Sequence, residues 1–169
     1  MSMKKEVRLY NVLFPIWLLV FLPSWLWLIL IPANYLIDRT VLKYSLEPER
    51  RGSFVRANSW KICLAGFLAD FAGGLLLFGI LLACSEIKGA ESFADALTFN
   101  HFRHPLALLA VVSAIALSGV LILVMDRFIL KKSGLEESQA NHSAKMLAWI
   151  TAPYLFLIPS ALIYSGRLY

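Results

Sequence analysis

Four long apolar runs separated by short charged stretches organise the chain. Residues 9–37 carry no charged side chain, residues 62–84 carry one, and residues 105–125 and 146–166 carry none. A helix needs ~20 apolar residues to cross a hydrocarbon core of ~30 Å, so each run is long enough. The runs are apolar on every face rather than alternating, which excludes a membrane β-barrel and predicts helices, whose backbone groups find partners inside their own segment. The pattern predicts an all-α integral membrane domain over residues 1–169 with four transmembrane helices. In the first run, Pro15, Pro23 and Pro32 each remove a backbone hydrogen bond and crowd the preceding turn, predicting a kinked or broken helix. A re-entrant segment over residues 9–22 is the alternative. The run lacks a small-x-small cleavage site and is far longer than the ~7–15 apolar residues of a signal peptide, so it reads as a retained span.

The ends of the first and third runs resemble each other. Residues 37–47 read IDRTVLKYSLE and residues 125–136 read MDRFILKKSGLE, with Gly134 as a single insertion and seven identities in the eleven aligned positions. Each copy closes one apolar run and precedes another, which predicts two tandem duplicated hairpins, residues 9–84 and 105–166. Apolar positions at Ile37, Val41 and Leu42, and at Met125, Ile129 and Leu130, keep a helical period, so both helices are expected to continue one or two turns past the membrane. Ser133-Gly134-Leu135-Glu136 fits a capping box, and Pro48 suits the start of a new helix.

Composition supports the membrane reading, with 59% of residues hydrophobic and 16% charged against about 45–50% and about 25% in soluble domains. The net charge of +5 does not point to nucleic acid, because the basic residues sit between spans. With four spans, six basic residues fall on the side of the termini and ten on the side of the 38–61 and 126–145 loops, which places those loops in the cytoplasm and both termini outside. Arg50, Arg51, Arg56 and Lys61 make the first inner loop a candidate contact for anionic lipid headgroups. Trp60 and Trp149 suit the membrane interface. Cys63 and Cys84, at opposite ends of one predicted helix, lie roughly 31 Å apart at ~1.5 Å per residue, too far for a disulfide.

Asp70 is the one ionisable side chain inside a predicted span. Gly66, Gly73 and Gly74 stand beside it at helical spacing, so a second helix can approach closely there and bury it. Ser113, Ser118 and Gly119 are the matching small residues of the third span. Asp70 reads either as a proton- or cation-binding group on a transport path or as a protonated group holding two helices together. Counting depth from Lys61 and Lys145 brings Tyr154 level with Asp70, with Thr151 and Asn34 as further candidate partners. His101 and His104 flank Arg103 in the predicted outer loop without an acid or cysteine in register, and read as solvated rather than metal-binding. No metal or cofactor is expected. No H-E-x-x-H, G-x-S-x-G or phosphate-cradling glycine loop occurs, which argues against an enzyme.

The stretches LYNVLFPIWLLVFLPSWLWLILIPANYLID at 9–38, GFLADF at 66–71 and TAPYLFLIP at 151–159 resemble a group of small polytopic membrane proteins of Gram-positive bacteria, some encoded on mobile or conjugative elements. The resemblance covers roughly a third of the chain and implies a bacterial plasma (inner) membrane. Two functions remain open: an oligomeric transporter or channel built around the intramembrane carboxylate, or a non-catalytic subunit or scaffold of a larger complex. The expected partners are an anionic bilayer and further copies or membrane subunits.

Overall fold

A computed structural model describes residues 15, 17–18 and 27–165, and within them the chain is all-helical. The helices are α1 (Trp27–Ser45), α2 (Ser53–Ser85), α3 (Glu91–Phe99), α4 (Pro105–Lys132), α5 (Glu137–Thr151) and α6 (Ser160–Ser165). Short 3₁₀ turns cover Pro48–Arg50, His101–Arg103 and Tyr154–Leu157. Two helices, α2 and α4, are long and apolar enough to cross a membrane, and only 22% and 28% of their most apolar windows are buried. Core helices of a soluble protein would be mostly covered, whereas here Leu64, Leu68, Leu109, Val120 and Val124 stand exposed, as a lipid-facing surface requires.

The fourth apolar run is not one helix. α5 ends at Thr151, a 3₁₀ turn follows Pro153, and α6 starts after Pro159. Proline lacks the N–H that would continue the ladder and pushes its predecessor out of the helical region, so two prolines six residues apart break the run. The first run can be followed only in part: Pro23 and all of the suggested re-entrant segment 9–22 except residues 15, 17 and 18 lie outside the described residues, and Pro32 sits within α1. The predicted 85–104 loop contains a helix, α3, whose Ala96 and Leu97 are buried.

α1 and α4 carry on past Asp38 and Asp126 as the repeat predicts, and Pro48 opens a 3₁₀ turn. The capping box does not form. Gly134, at φ +94°, ends α4 in the left-handed conformation: its N–H bonds to the Lys131 carbonyl and that of Leu135 to the Leu130 carbonyl. This pair of bonds satisfies the helix end. Ser133 instead donates to Asn58 Oδ1 at 2.7 Å.

α2 and α4 pack antiparallel at the centre, with α5 against α4 and α1 against both α2 and α5. Two apolar clusters fill the bundle. One gathers Leu42, Ile62, Ile122, Leu130 and Leu147 at the basic end. The other gathers Trp17, Leu77, Leu97, Val111 and Phe156 at the opposite end. Between them α2 and α4 come closest. Ser118 donates to the Ala69 carbonyl at 3.0 Å, and a methyl on Gly73 would overlap Ser118 Oγ and stand 3.0 Å from the Ala114 carbonyl oxygen. Gly73 and Ser118 thus meet in a close helix contact, Gly74 is also buried, and Gly119 faces α5. Ser113 points outward and takes no part.

Candidate functional site

The inward stripe of α1 begins with a carboxylate. Asp38, Val41, Leu42 and Ser45 are its buried residues, at the spacing of one helical face. The corresponding stripe of α4 runs Ser118, Ile122, Asp126 and Leu130. The periodicity that buries Leu42 and Leu130 therefore also buries Asp38 and Asp126, which are 5% and 1% exposed. Arg39 and Lys43 point outward, as do Arg127 and Lys131 at the equivalent positions of the second copy.

Asp70 joins them from α2, with Oδ1 buried and unpartnered. Asp38 lies within electrostatic reach of both Asp70 and Asp126. Its carboxyl group lies near the Thr151 hydroxyl and the Cys63 thiol, and a methyl on Gly66 would stand 3.9 Å from its Oδ2. The bonds from Ser133 to Asn58 and from Ser118 to Ala69 set the α2–α4 register. That register brings Asp126 near the level of Ile62–Ala65 and Asp70 near that of Ser118. With Asp38 against Cys63 and Gly66, the carboxylates form a row along the bundle. Among the described residues no three His, Cys, Asp or Glu side chains group closely enough to hold a metal ion, so the row is not a chelating cluster.

The row has no basic counterpart inside the bundle: among the described residues, no Lys or Arg is buried. Both Asp126 oxygens lack a hydrogen-bond partner, and so does the fully buried Ser143 Oγ on the inward face of α5. Removing a carboxylate from water without compensation costs several kcal/mol, on the order of the penalty for one buried ion. α5 also terminates beside the row, at Thr151. A helix C-terminus offers unsatisfied carbonyls and a partial negative charge. Each of these features favours a bound positive charge.

Several sequence-predicted partners lie elsewhere. Tyr154 is half-exposed and donates to the Trp149 carbonyl at 2.6 Å rather than to Asp70; the break at Pro153 swings it off the α5 face on which depth counting placed it. Thr151 lies near Asp38 rather than Asp70, and its hydroxyl donates to the Leu147 carbonyl at 2.9 Å. Asn34 is half-buried one turn before Asp38, and among the described residues no hydrogen bond joins it to Asp70. A methyl on Gly66 would meet only Asp38 Oδ2, at an ordinary contact distance of 3.9 Å, so no close helix approach requires glycine there.

The histidines also differ from the solvated reading. His101 is 3% exposed, and its Nε2 meets the Leu157 carbonyl at 3.1 Å, tying the α3–α4 turn to the broken fourth segment. Burial holds its imidazole below the ordinary value, with the Leu157 bond acting in the opposite direction. His104 packs edge-on against Phe93, with ring centroids 5.5 Å apart.

Of the candidate headgroup contacts, Arg56 is exposed, as expected. Arg51 is turned inward, its Nε donating to the Leu46 carbonyl at 3.0 Å, and Lys61 donates to Asn58 Oδ1 at 3.1 Å. The Arg50 side chain lies outside the described residues. Glu137 pairs with Arg127 and Lys131, and these bonds hold its carboxyl below the usual range.

Asp38 and Asp126 are the residues the sequence reading missed. In the sequence they stand as polar ends of apolar runs, although each falls on the inward stripe of its own helix with Leu42 or Leu130 four residues on. The chain matches no protein family model, none of the curated proteins and no solved structure.

Proposed function

We propose that the chain is a small multi-pass carrier or channel of a bacterial inner membrane, in which Asp38, Asp70 and Asp126 bind protons or a small cation on a path along the bundle. The observation that carries this reading is the row itself: buried Asp38 and Asp126 with half-buried Asp70 on separate helices, no buried Lys or Arg among the described residues, and unpartnered oxygens on Asp70 and Asp126. An ionisable group inside a bundle faces protein or a water path, and acids so placed serve as relays or ion sites. A helix that breaks beside a binding site, as the fourth segment does after Thr151, is a recurrent transporter device.

A four-crossing arrangement supports the reading. In the first segment Trp17, whose indole nitrogen stands 3.4 Å from the Leu97 carbonyl oxygen, lies at the end of the bundle opposite Ser45 and the basic residues. The last runs back from Glu137 to Leu157, beside His101. In this proposal the segment ending in α1 and the broken fourth segment supply the other two crossings beside continuous α2 and α4, the basic ends are cytoplasmic, and the termini are outside. A duplicated hairpin accounts for the matching burial of Asp38 with Asp126 and Leu42 with Leu130.

Purified protein in proteoliposomes tests the function. Flux driven by a pH or cation gradient, lost in Asp38→Asn and Asp70→Asn variants that melt like wild type, is expected, because an amide retains hydrogen bonding but does not titrate in this range. Absence of flux from the folded wild type, together with recovery of a stoichiometric membrane partner, would replace the carrier by a scaffold subunit. Thiol labelling of cysteines introduced at positions 52 and 139 should occur from the cytoplasmic face; labelling from outside overturns the orientation.

A further inference from the structure

We infer that the groove between α1 and the start of α2 binds the headgroup of an anionic phospholipid, held by Arg39, Lys43 and Arg56. The groove has a volume of about 880 Å³ and is lined by these three residues and Arg51, together with Leu36, Val55 and Ala57 among others. Arg39 and Lys43 lie four residues apart on α1 and so share a face, while Arg56 answers them from α2. No acidic side chain lines the groove. Among the described residues the acid–base pairs are those of Glu137 with Arg127 and Lys131, so four cations gather here without a counter-charge; Arg51 is held by the Leu46 carbonyl, which leaves Arg39, Lys43 and Arg56 to face an anion. Like charges held together repel, and an anion bridging them relieves that repulsion.

The shape selects a lipid over a free anion. The walls are largely apolar, and Leu36 leads onto the exposed flank of α1, where Leu28 and Ile29 also face outward. A phosphate between the basic groups therefore has a path beside it for acyl chains. The groove lies at the basic end of the bundle, where the positive-inside rule puts the anionic leaflet. A second groove, of about 850 Å³ between α2 and α4, offers Lys61 and Lys132, but Lys61 is already committed to Asn58. The first groove is the better-charged of the two. The inference requires only that the bundle sits in a membrane and is independent of flux through the carboxylates.

Native mass spectrometry of the full chain released from neutral phosphatidylcholine discs, with dioleoylphosphatidylglycerol added, reads the binding directly. Phosphatidylglycerol should bind as a discrete adduct and phosphatidylcholine should not. At about a factor of five per basic residue, Arg39→Gln, Lys43→Gln and Arg56→Gln should each weaken binding about fivefold, and the triple variant roughly a hundredfold. Lys145→Gln, on an exposed position outside both grooves, should leave binding unchanged. Equal binding of phosphatidylcholine, equal loss in Lys145→Gln, or retention in the triple variant overturns the site. Full competition by millimolar inorganic phosphate overturns the lipid and leaves a free-anion site. If the triple variant does not fold, the single variants carry the same fivefold criterion.

Discussion

Replacing Gly73 by alanine tests the contact on which the central helix pair depends. The new methyl would overlap Ser118 Oγ, approach the Ala114 carbonyl oxygen to 3.0 Å and stand 3.4 Å from Phe156 Cε2. The carbonyl and the ring belong to packed elements, so relief must come from Ser118 turning away and releasing its 3.0 Å bond to the Ala69 carbonyl. Inserting a methyl into a filled contact costs about 1–3 kcal/mol, and an interhelical hydrogen bond in a membrane bundle contributes ~0.6 kcal/mol. Alanine recovers up to ~1 kcal/mol of helix propensity. The net expectation is a destabilisation of about 1–3 kcal/mol, or roughly 2–12 °C in melting temperature for a chain of this size. Intrinsic fluorescence melting in detergent measures it. Gly79 has nothing within 4 Å of an added methyl, so Gly79→Ala should keep the propensity gain and melt at or above wild type. Adding Ser118→Ala to Gly73→Ala removes the overlapping oxygen and should recover much of the loss. If Gly73→Ala melts at or above wild type while Gly79→Ala does not, the argument from close approach is wrong.

Further expectations follow from the other contacts. Asp38→Leu deletes the group that faces Thr151 and Cys63 and should melt lower than Asp38→Asn by about 0.5–1.5 kcal/mol; equal melting of the two would mean these contacts contribute nothing. Because His101 is held below the ordinary value of 6.5, the unfolded chain takes up the proton first as pH falls, so its contribution to stability is full above that value and declines below it. Wild type should therefore lose melting temperature between about pH 7 and about pH 5 more steeply than His101→Gln, and parallel profiles would show that His101 is not the group responsible. Tyr154→Phe removes a bond only to the Trp149 carbonyl, so flux should be unchanged and stability reduced by no more than about 1 kcal/mol; loss of flux would return Tyr154 to the ion path.

The features legible in the sequence were those that depend on local composition. An apolar run long enough to cross a bilayer declares a helix, and α2 and α4 formed where runs without internal proline predicted them. The close approach at Gly73 and Ser118 was legible for the same reason, since a side chain missing at helical spacing is a property of one segment. Pro153 and Pro159 break the fourth run, which the sequence pattern alone presents as one continuous span, whereas Pro32 of the first run sits within α1 and Pro23 lies outside the described residues. What required the tertiary structure was which charged residues turn inward. Asp38 and Asp126 share a sequence context with Arg39 and Arg127, and hydropathy assigns all four to the polar end of a span. Only the packing of α1 and α4 against α2 and α5 separates them, burying the acids while the guanidinium groups stay outside. Composition averages over a helix, whereas burial is decided by which face a neighbouring helix covers. The carboxylate row therefore exists only once helices distant in sequence are side by side.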